Sequence, residues 1–528
     1  MVRVPWVFGR LLLLLPLGMP ALAAHPCAAC HRKQVEGYLR TGMGQSLTRD
    51  ATQPSGRFFH GKSGSTATIT SSTLGMRQRI ERAGLAAEYA AAYVIGSGHK
   101  AFGYLVEIGG FLYQSPFAYY SERGMWDVAP GYEANATLDF NRPVTIECLL
   151  CHSGQPRPVA GTLNRYEPPP FAVEAISCDR CHGPVETHLA HPSAASIVNP
   201  RRLPPRARDS VCEQCHLGGE ARILNPGKKW QDFAPGQELE DTFTVFVQEF
   251  PKNAEGRRAF TVVSHVEQLA RSVCWRRSAG KLWCGSCHDP HETPANARRH
   301  YRERCLSCHA ATLAASHRAE SADCTGCHMQ ARQAVDGSHA AFTDHEIARR
   351  PARVPAIRQI RGLSAWRPAP AAFSLRNLAL AYLSVGERDR SSYHLNEAFR
   401  LMAEARKEFP RDPDLAAGLG LILLLKDLPR EAARAFELSL ALRPRHPRSY
   451  QNLAAAWSAA GEPGKAIAAL EAAIELDPSL DVAYYTLADI YEKQNDAAGR
   501  RRALERYLRI RPQSLETRRI ISLLPSPQ

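Results

Sequence analysis

Hydrophobic and polar positions follow three different rhythms along this chain of 528 residues. From about residue 373 onward the apolar spacing is helical, and the pattern itself repeats, with Pro410, Pro444, Pro478 and Pro512 each 34 positions apart. Leu419, Leu453 and Leu487 stand at one offset, Gly420, Ala454 and Ala488 at the next, then Leu423, Trp457 and Tyr491, and later Phe436, Leu470 and Leu504. Small residues let paired helices approach and large ones fill the stack, so these residues predict successive helix pairs. Arg500 and Tyr507 break the small positions held by Ala432 and Ala466 and by Ser439 and Ala473, as a terminal unit does. Asn377 to Pro410 keeps Leu378, Tyr382 and Gly386 at a longer spacing and reads as a variant first unit.

The second rhythm is alternation. Tyr104-Leu-Val-Glu-Ile108 and Phe111-Leu-Tyr-Gln-Ser115 flank Gly109-Gly110 and predict a β-hairpin with a primed turn. Phe243 to Phe250 with Phe260 to Val263 predicts another small sheet. From Cys148 to about Arg350 neither rhythm persists, and Pro, Gly and short polar intervals predict short helices joined by loops. Within it, the stretch from Cys284 to His328 is too short and too broken by polar residues to bury an apolar core of its own. A helix-pair period of 34 residues is that of the tetratricopeptide repeat, so residues 373–528 predict a right-handed α-solenoid with a groove for a protein partner. Pro351, Pro355, Pro368 and Pro370 mark a stiff, Arg-containing linker over 351–372 that separates two cores.

Chemistry enters with the cysteines. Seven times two Cys stand three apart with His directly after the second: Cys27, Cys30, His31; Cys148, Cys151, His152; Cys178, Cys181, His182; Cys212, Cys215, His216; Cys284, Cys287, His288; Cys305, Cys308, His309; and Cys324, Cys327, His328. In C-x-x-C-H the two thiols bond to the vinyl groups of one haem and the imidazole binds its iron. Zinc sites also use paired C-x-x-C, but they do not require His after every second Cys. The pattern predicts seven covalently attached haems c over residues 25–350, which fill the interior that the apolar pattern leaves vacant. Fourteen of the 15 Cys are then thioethers, and Cys274 remains, either as a buried thiol or as a thiolate near a haem.

Haem c is attached outside the cytoplasm, and the N-terminus agrees. Arg3 and Arg10 flank the short apolar run Leu11 to Leu17, and Ala21-Leu-Ala23 fits a cleavage site, so residues 1–24 read as a signal peptide and the protein as periplasmic. No later segment has the ~18 apolar residues of a membrane span, and Leu415 to Leu425 reads as a soluble helix. The net charge of +14 suggests nucleic acid on its own, but fourteen haem propionates offset it and remove that reading. Arg201-Arg202, Arg276-Arg277 and Arg298-Arg299 are candidate propionate partners.

With Asn164-Arg-Tyr-Glu-Pro168, Cys178-Asp-Arg-Cys-His-Gly-Pro184, Ser264-His-Val-Glu-Gln268, Cys284-Gly-Ser-Cys-His-Asp-Pro-His291 and Thr343-Asp-His345, the chain resembles multihaem cytochromes of the c552/c554 type fused to tetratricopeptide repeats. The residue patterns together predict a mainly α, loop-rich cytochrome module with a small β-hairpin insert, and the resemblance implies that it works in the periplasm. It also implies electron transfer between redox partner proteins. The C-x-x-C-Lys of ammonia-forming nitrite reductases is absent. Each iron has a second axial position, and 11 His outside the motifs lie in this region. His188, His265, His291 and His345 are preferred because they sit in or beside the blocks that carry the resemblance. Seven iron atoms each with two His describe a carrier; one open haem describes instead an oxidoreductase acting on a small nitrogen or sulfur compound.

Overall fold

The computed structural model describes residues 25–249, 260–313, 317, 323–349 and 362–524. The expected signal peptide at 1–24 and linker residues 351–361 lie outside the described residues.

Between the first two motifs the chain builds two antiparallel sheets. Gly56–His60, Ser65–Ser72, Gly75–Arg82 and Leu85–Ala90 form a meander in chain order. Leu47–Thr48, Tyr93–Ile95, Ala101–Ile108, Phe111–Tyr120, Met125–Val128 and Arg142–Pro143 form the second sheet. The predicted hairpin is its centre: Ile108 pairs with Phe111, and Gly109 (φ 61°) and Gly110 (φ 82°) supply the two positive φ values of a primed turn. Tyr104, Val106, Tyr113, Phe117, Ile69 and Ile80 close the core between the sheets. The expectation of a mainly α protein is therefore corrected in part, since the helical solenoid is present but the region before Cys148 is largely sheet. Its outer strands escaped sequence reasoning because they bury only alternate side chains, such as Ala67 and Ile69, between exposed or half-exposed Thr and Arg.

Phe243–Gln248 is a strand as expected, but its partners are Ala221–Leu224 and Leu363–Ala365. Phe260 instead accepts a single backbone hydrogen bond from Val335 N–H at 2.8 Å. Around the motifs the helices are short: Ala28–Tyr38, Ile146–Leu150, Asp179–His182, Pro205–His216, Cys284–Cys287, Ala297–His309 and Cys324–His328. From residue 261 to 333 no apolar side chain is buried among the described residues. Ser264, Glu267, Gln268 and Ser272 are buried there instead.

The solenoid follows the 34-residue period. Ser374–Arg388 pairs with Ser392–Glu408, Pro413–Leu425 with Pro429–Leu442, Pro447–Ala459 with Pro463–Leu476 and Asp481–Lys493 with Ala497–Ile510, before the closing helix Leu515–Ser522. Phe436, Leu470 and Leu504 are fully buried at equivalent positions. A Cβ on Gly420 would stand 2.9 Å from the Phe436 ring, which is why that position is small. No described helix is long and apolar enough to cross a membrane.

The separation of two cores expected at the linker is not what the structure shows. Leu363–Ala365 extends a sheet of the motif-bearing half, and the helix Ser374–Arg388 packs on that sheet. Buried Arg376 donates to Asp412 (2.7 Å), Asp414 (2.8 Å) and the Leu224 carbonyl (2.7 Å), while Asn377 donates to Asn225 Oδ1 (2.8 Å) and Thr244 Oγ1 (3.1 Å). At the far end Leu163 N–H donates to Asp477 (2.8 Å), Ser479 to Asn164 Oδ1 (2.9 Å) and Gln513 to the Glu88 carbonyl (2.9 Å). Leu515 completes the core of the β sheets.

Two outcomes follow from this interface. Arg376→Ala leaves the Asp412 carboxylate buried without its cation and is expected to cost roughly 3–5 kcal/mol, read as a lower urea midpoint. Arg400→Ala, which breaks an exposed pair with Glu397, should leave the midpoint unchanged. A chain ended at Arg349 uncovers Ala221 and Phe246, which share a core with Tyr382 and Leu383, so it should unfold at lower temperature or aggregate; full solubility and an unchanged melting curve would show that the halves are independent.

Candidate cofactor-binding site

Each motif winds into about one helical turn, which sets its two sulfurs on one face. The same bond closes several of these turns: His31 N–H donates to the Cys27 carbonyl at 2.8 Å, His182 to Cys178 at 2.9 Å and His288 to Cys284 at 2.9 Å. No two of the 15 cysteines are joined by a disulfide. The motifs also touch one another. Cys151 Sγ lies 4.0 Å from the Gln214 carbonyl and Cys215 Sγ 3.8 Å from the Leu150 carbonyl, so the second and fourth motifs pack reciprocally.

Motif histidines meet histidines from distant segments. The His31 and His188 rings are 6.3 Å apart between centres at 22°, His182 and His291 5.9 Å at 27°, and His288 and His345 6.2 Å at 30°. His216 faces His265 edge-on at 5.4 Å, and His265 lies 4.7 Å from His345. All four distal candidates chosen from sequence thus sit ring to ring with a motif His. A fifth pair, His317 with His328 at 6.3 Å and 26°, was not singled out, since its spacing from the motif carries no signal. Two imidazoles bound across one metal at ~2 Å from each nitrogen have ring centres about 6 Å apart, and four of the pairs match that separation.

The ring nitrogens are disposed for the same purpose. Nδ1 meets a carbonyl in His182 (Val198, 2.8 Å), His188 (Ser193, 3.1 Å), His328 (Ala348, 2.7 Å) and His345 (Thr343, 3.0 Å), and a carboxylate in His291 (Asp289, 3.1 Å). With Nδ1–H donating, Nε2 carries the free lone pair. His288 Nδ1 meets the Tyr301 hydroxyl at 3.2 Å instead. Burial, with neighbouring histidines adding to it, pushes His265 down to about 3 and His288 to about 4, and His152, His182, His216 and His345 also shift down chiefly by burial. These rings are neutral, as a metal ligand must be.

Other histidines are engaged elsewhere. Both nitrogens of His60 are bonded, to Ser63 Oγ and the Glu133 carbonyl; His300 Nε2 meets the Cys287 carbonyl, and His339 Nε2 meets Asp127 at 2.7 Å. His25, Cys27 and Cys178 are the one set of three ligand-type side chains within 4.8 Å among the described residues, and two of them belong to motifs. Cys274 stands on the short helix Val273–Arg277, half-buried. Arg298 and Arg299 make exposed pairs with Asp323 and Glu303.

The residues present fit haem. Sulfur pairs and facing imidazoles come together, from 261 to 333 without a buried apolar side chain among the described residues, and four of the facing pairs are spaced for two ligands on one metal.

The tetratricopeptide repeat family matches residues 447–480 and 482–514. Among solved structures, the MamA protein is 24% identical, with 28% of this chain and 81% of that chain covered and a TM-score of 0.25. MamA from Desulfovibrio magneticus RS-1 is 19% identical, covering 26% and 75% with a TM-score of 0.23. The first repeat domain of Spaghetti (RPAP3), bound to an HSP90 peptide, is 20% identical, covering 22% and 94% with a TM-score of 0.21. No curated protein matches the chain. The helix pairs over 447–480 and 482–514 are tetratricopeptide repeats, and the pair Pro413–Leu425 with Pro429–Leu442 before them keeps the same 34-residue period.

Proposed function

We propose that residues 25–350 form a periplasmic multihaem c-type cytochrome unit that passes electrons between redox proteins, and that the repeats dock one of them. The observation that carries this reading is that five of the seven motif histidines face a second histidine, at 5.4 to 6.3 Å between ring centres. When bound, haem iron supplies reversible one-electron chemistry. The protein's own groups do the rest. Fourteen thiols would tether the groups, and the motif imidazoles would hold the iron, joined in five sites by His188, His265, His291, His345 and His317. The Val198, Ser193, Thr343 and Ala348 carbonyls and the Asp289 carboxylate fix the ring orientation and raise ligand basicity. The solenoid supports docking through its groove.

One observation favours the oxidoreductase reading as the second choice: among the described residues no ring faces His152. An iron held there by His152 alone would be able to bind a small nitrogen or sulfur compound.

Alkaline haemochrome analysis against protein mass should give seven haems per chain; a value near zero would sink the cytochrome reading, and six would leave one motif unused. Electron paramagnetic resonance of the oxidised protein should be low-spin throughout for the carrier, with His291→Ala converting one iron to high spin. A high-spin component in the unaltered protein, lost on adding cyanide, would decide for the oxidoreductase.

A further inference from the structure

A cavity of about 250 Å³ opens between the second and fourth motifs. One wall is aromatic: Trp230 and Phe243 meet at 5.4 Å between ring centres, and Phe233 continues the surface. Opposite stand two guanidinium groups. Arg222 lies 5.8 Å from the Phe243 ring centre and donates to the Gln214 (3.1 Å) and Leu217 carbonyls. Arg180 donates through one terminal nitrogen to the Leu150 carbonyl at 3.2 Å, while its Nε is buried without a partner.

Gln214 is only 7% exposed. Its amide nitrogen is committed to the Arg180 (3.0 Å) and Val211 (2.8 Å) carbonyls, which fixes its orientation and leaves Oε1 buried and unpaired. A buried polar group left unpaired costs about 1–3 kcal/mol, and native structures rarely tolerate two in one place. The remaining charge on the rim is Glu147, whose carboxylate accepts from the Thr145 hydroxyl at 2.6 Å. Two cations against one carboxylate leave the cavity with a single positive charge.

We propose that this cavity seats a monoanionic oxyanion, held by Arg180 Nε–H and Arg222, covered by the Trp230, Phe233 and Phe243 wall and completed by a water or hydroxyl hydrogen on Gln214 Oε1. That chemistry has two sources, a free monoanion such as nitrite or formate, or one propionate of a haem attached to a neighbouring motif. Only the second source rests on the cytochrome reading.

The test uses the full-length haem-loaded chain, its Arg180→Gln and Arg222→Gln variants, and Arg400→Gln, an exposed arginine of the solenoid, as a control for nonspecific charge. If the anion is free, calorimetry at low salt shows saturable binding of nitrite or formate that sulfate does not displace. Arg180→Gln then weakens it about tenfold or more and Arg400→Gln does not. If the anion is a propionate, no binding is seen, but Arg180→Gln lowers the midpoint potential of one or two haems, because loss of a cation disfavours the reduced iron. The proposal is overturned if variants that keep the parent melting temperature show neither effect. Peptide masses separate its failure from that of the cytochrome reading: Cys148–Cys151 and Cys212–Cys215 peptides without haem remove the propionate source and the cytochrome reading at these motifs, while the anion titration still decides the cavity.

Discussion

The stretch from residue 261 to 333 has to hold together without burying one apolar side chain among its described residues. The helices Cys284–Cys287, Ala297–His309 and Cys324–His328 contain no buried residue at all. Hydrophobic burial is the dominant favourable term in folding, so a segment without it needs another source of order. What the chain assembles there is a set of imidazoles, with His265 and His288 held neutral by burial and the Nδ1 atoms of His288, His291 and His328 engaged. Left alone, such a cluster carries the cost of desolvation with nothing to offset it. Planar apolar macrocycles with a metal at the centre, tethered through the adjacent sulfurs, meet both requirements together, and that coincidence is what supports the cytochrome reading.

The other half solves the opposite problem. Its alanines and leucines give it a core of its own, and what it lends the motif-bearing half is an edge. Arg443, Asp477 and Arg511 each precede a repeat proline and so recur at one structural position. Asp477 receives the Leu163 amide, Arg511 reaches Asp139 and Arg443 reaches Asp414, which also holds Arg376. Two of these turns, at Asp477 and Arg511, therefore dock the rest of the chain, while the one at Arg443 ties neighbouring repeats together. A protein bound in the groove of this solenoid sits on a body continuous with the motif region, not on a tethered accessory.

How much of this was legible depended on how local each cause is. The solenoid follows from a period of 34 residues and the hairpin from Gly109-Gly110, because both are written in adjacent residues. The motifs were legible for the same reason. The polar strands around Ala67 and Ile69 were not, since their inward positions make sense only once a second sheet covers them. Leu363–Ala365 was hidden inside a proline-rich run, and its pairing to Phe243–Gln248 spans more than a hundred residues. Of the distal histidines, His291 was readable from its place three residues after His288, whereas His317 and the Arg180 and Arg222 cavity needed coordinates.

Motifs that are neighbours in the chain are not always neighbours in space. His31 of the first motif meets His188, six residues beyond the third motif's His182, and His182 in turn meets His291, three residues beyond the fifth motif's His288. Each such pair joins one motif to the segment that follows another, so the ligand holding one site is fixed by the backbone that holds the next. Displacing either member disturbs two sites, and rigidity passes along the row as it does between packed helices. For a protein whose proposed work is to keep redox centres at fixed separations, this interleaving would tie the first, third and fifth motifs to one another as an apolar core ties elements elsewhere.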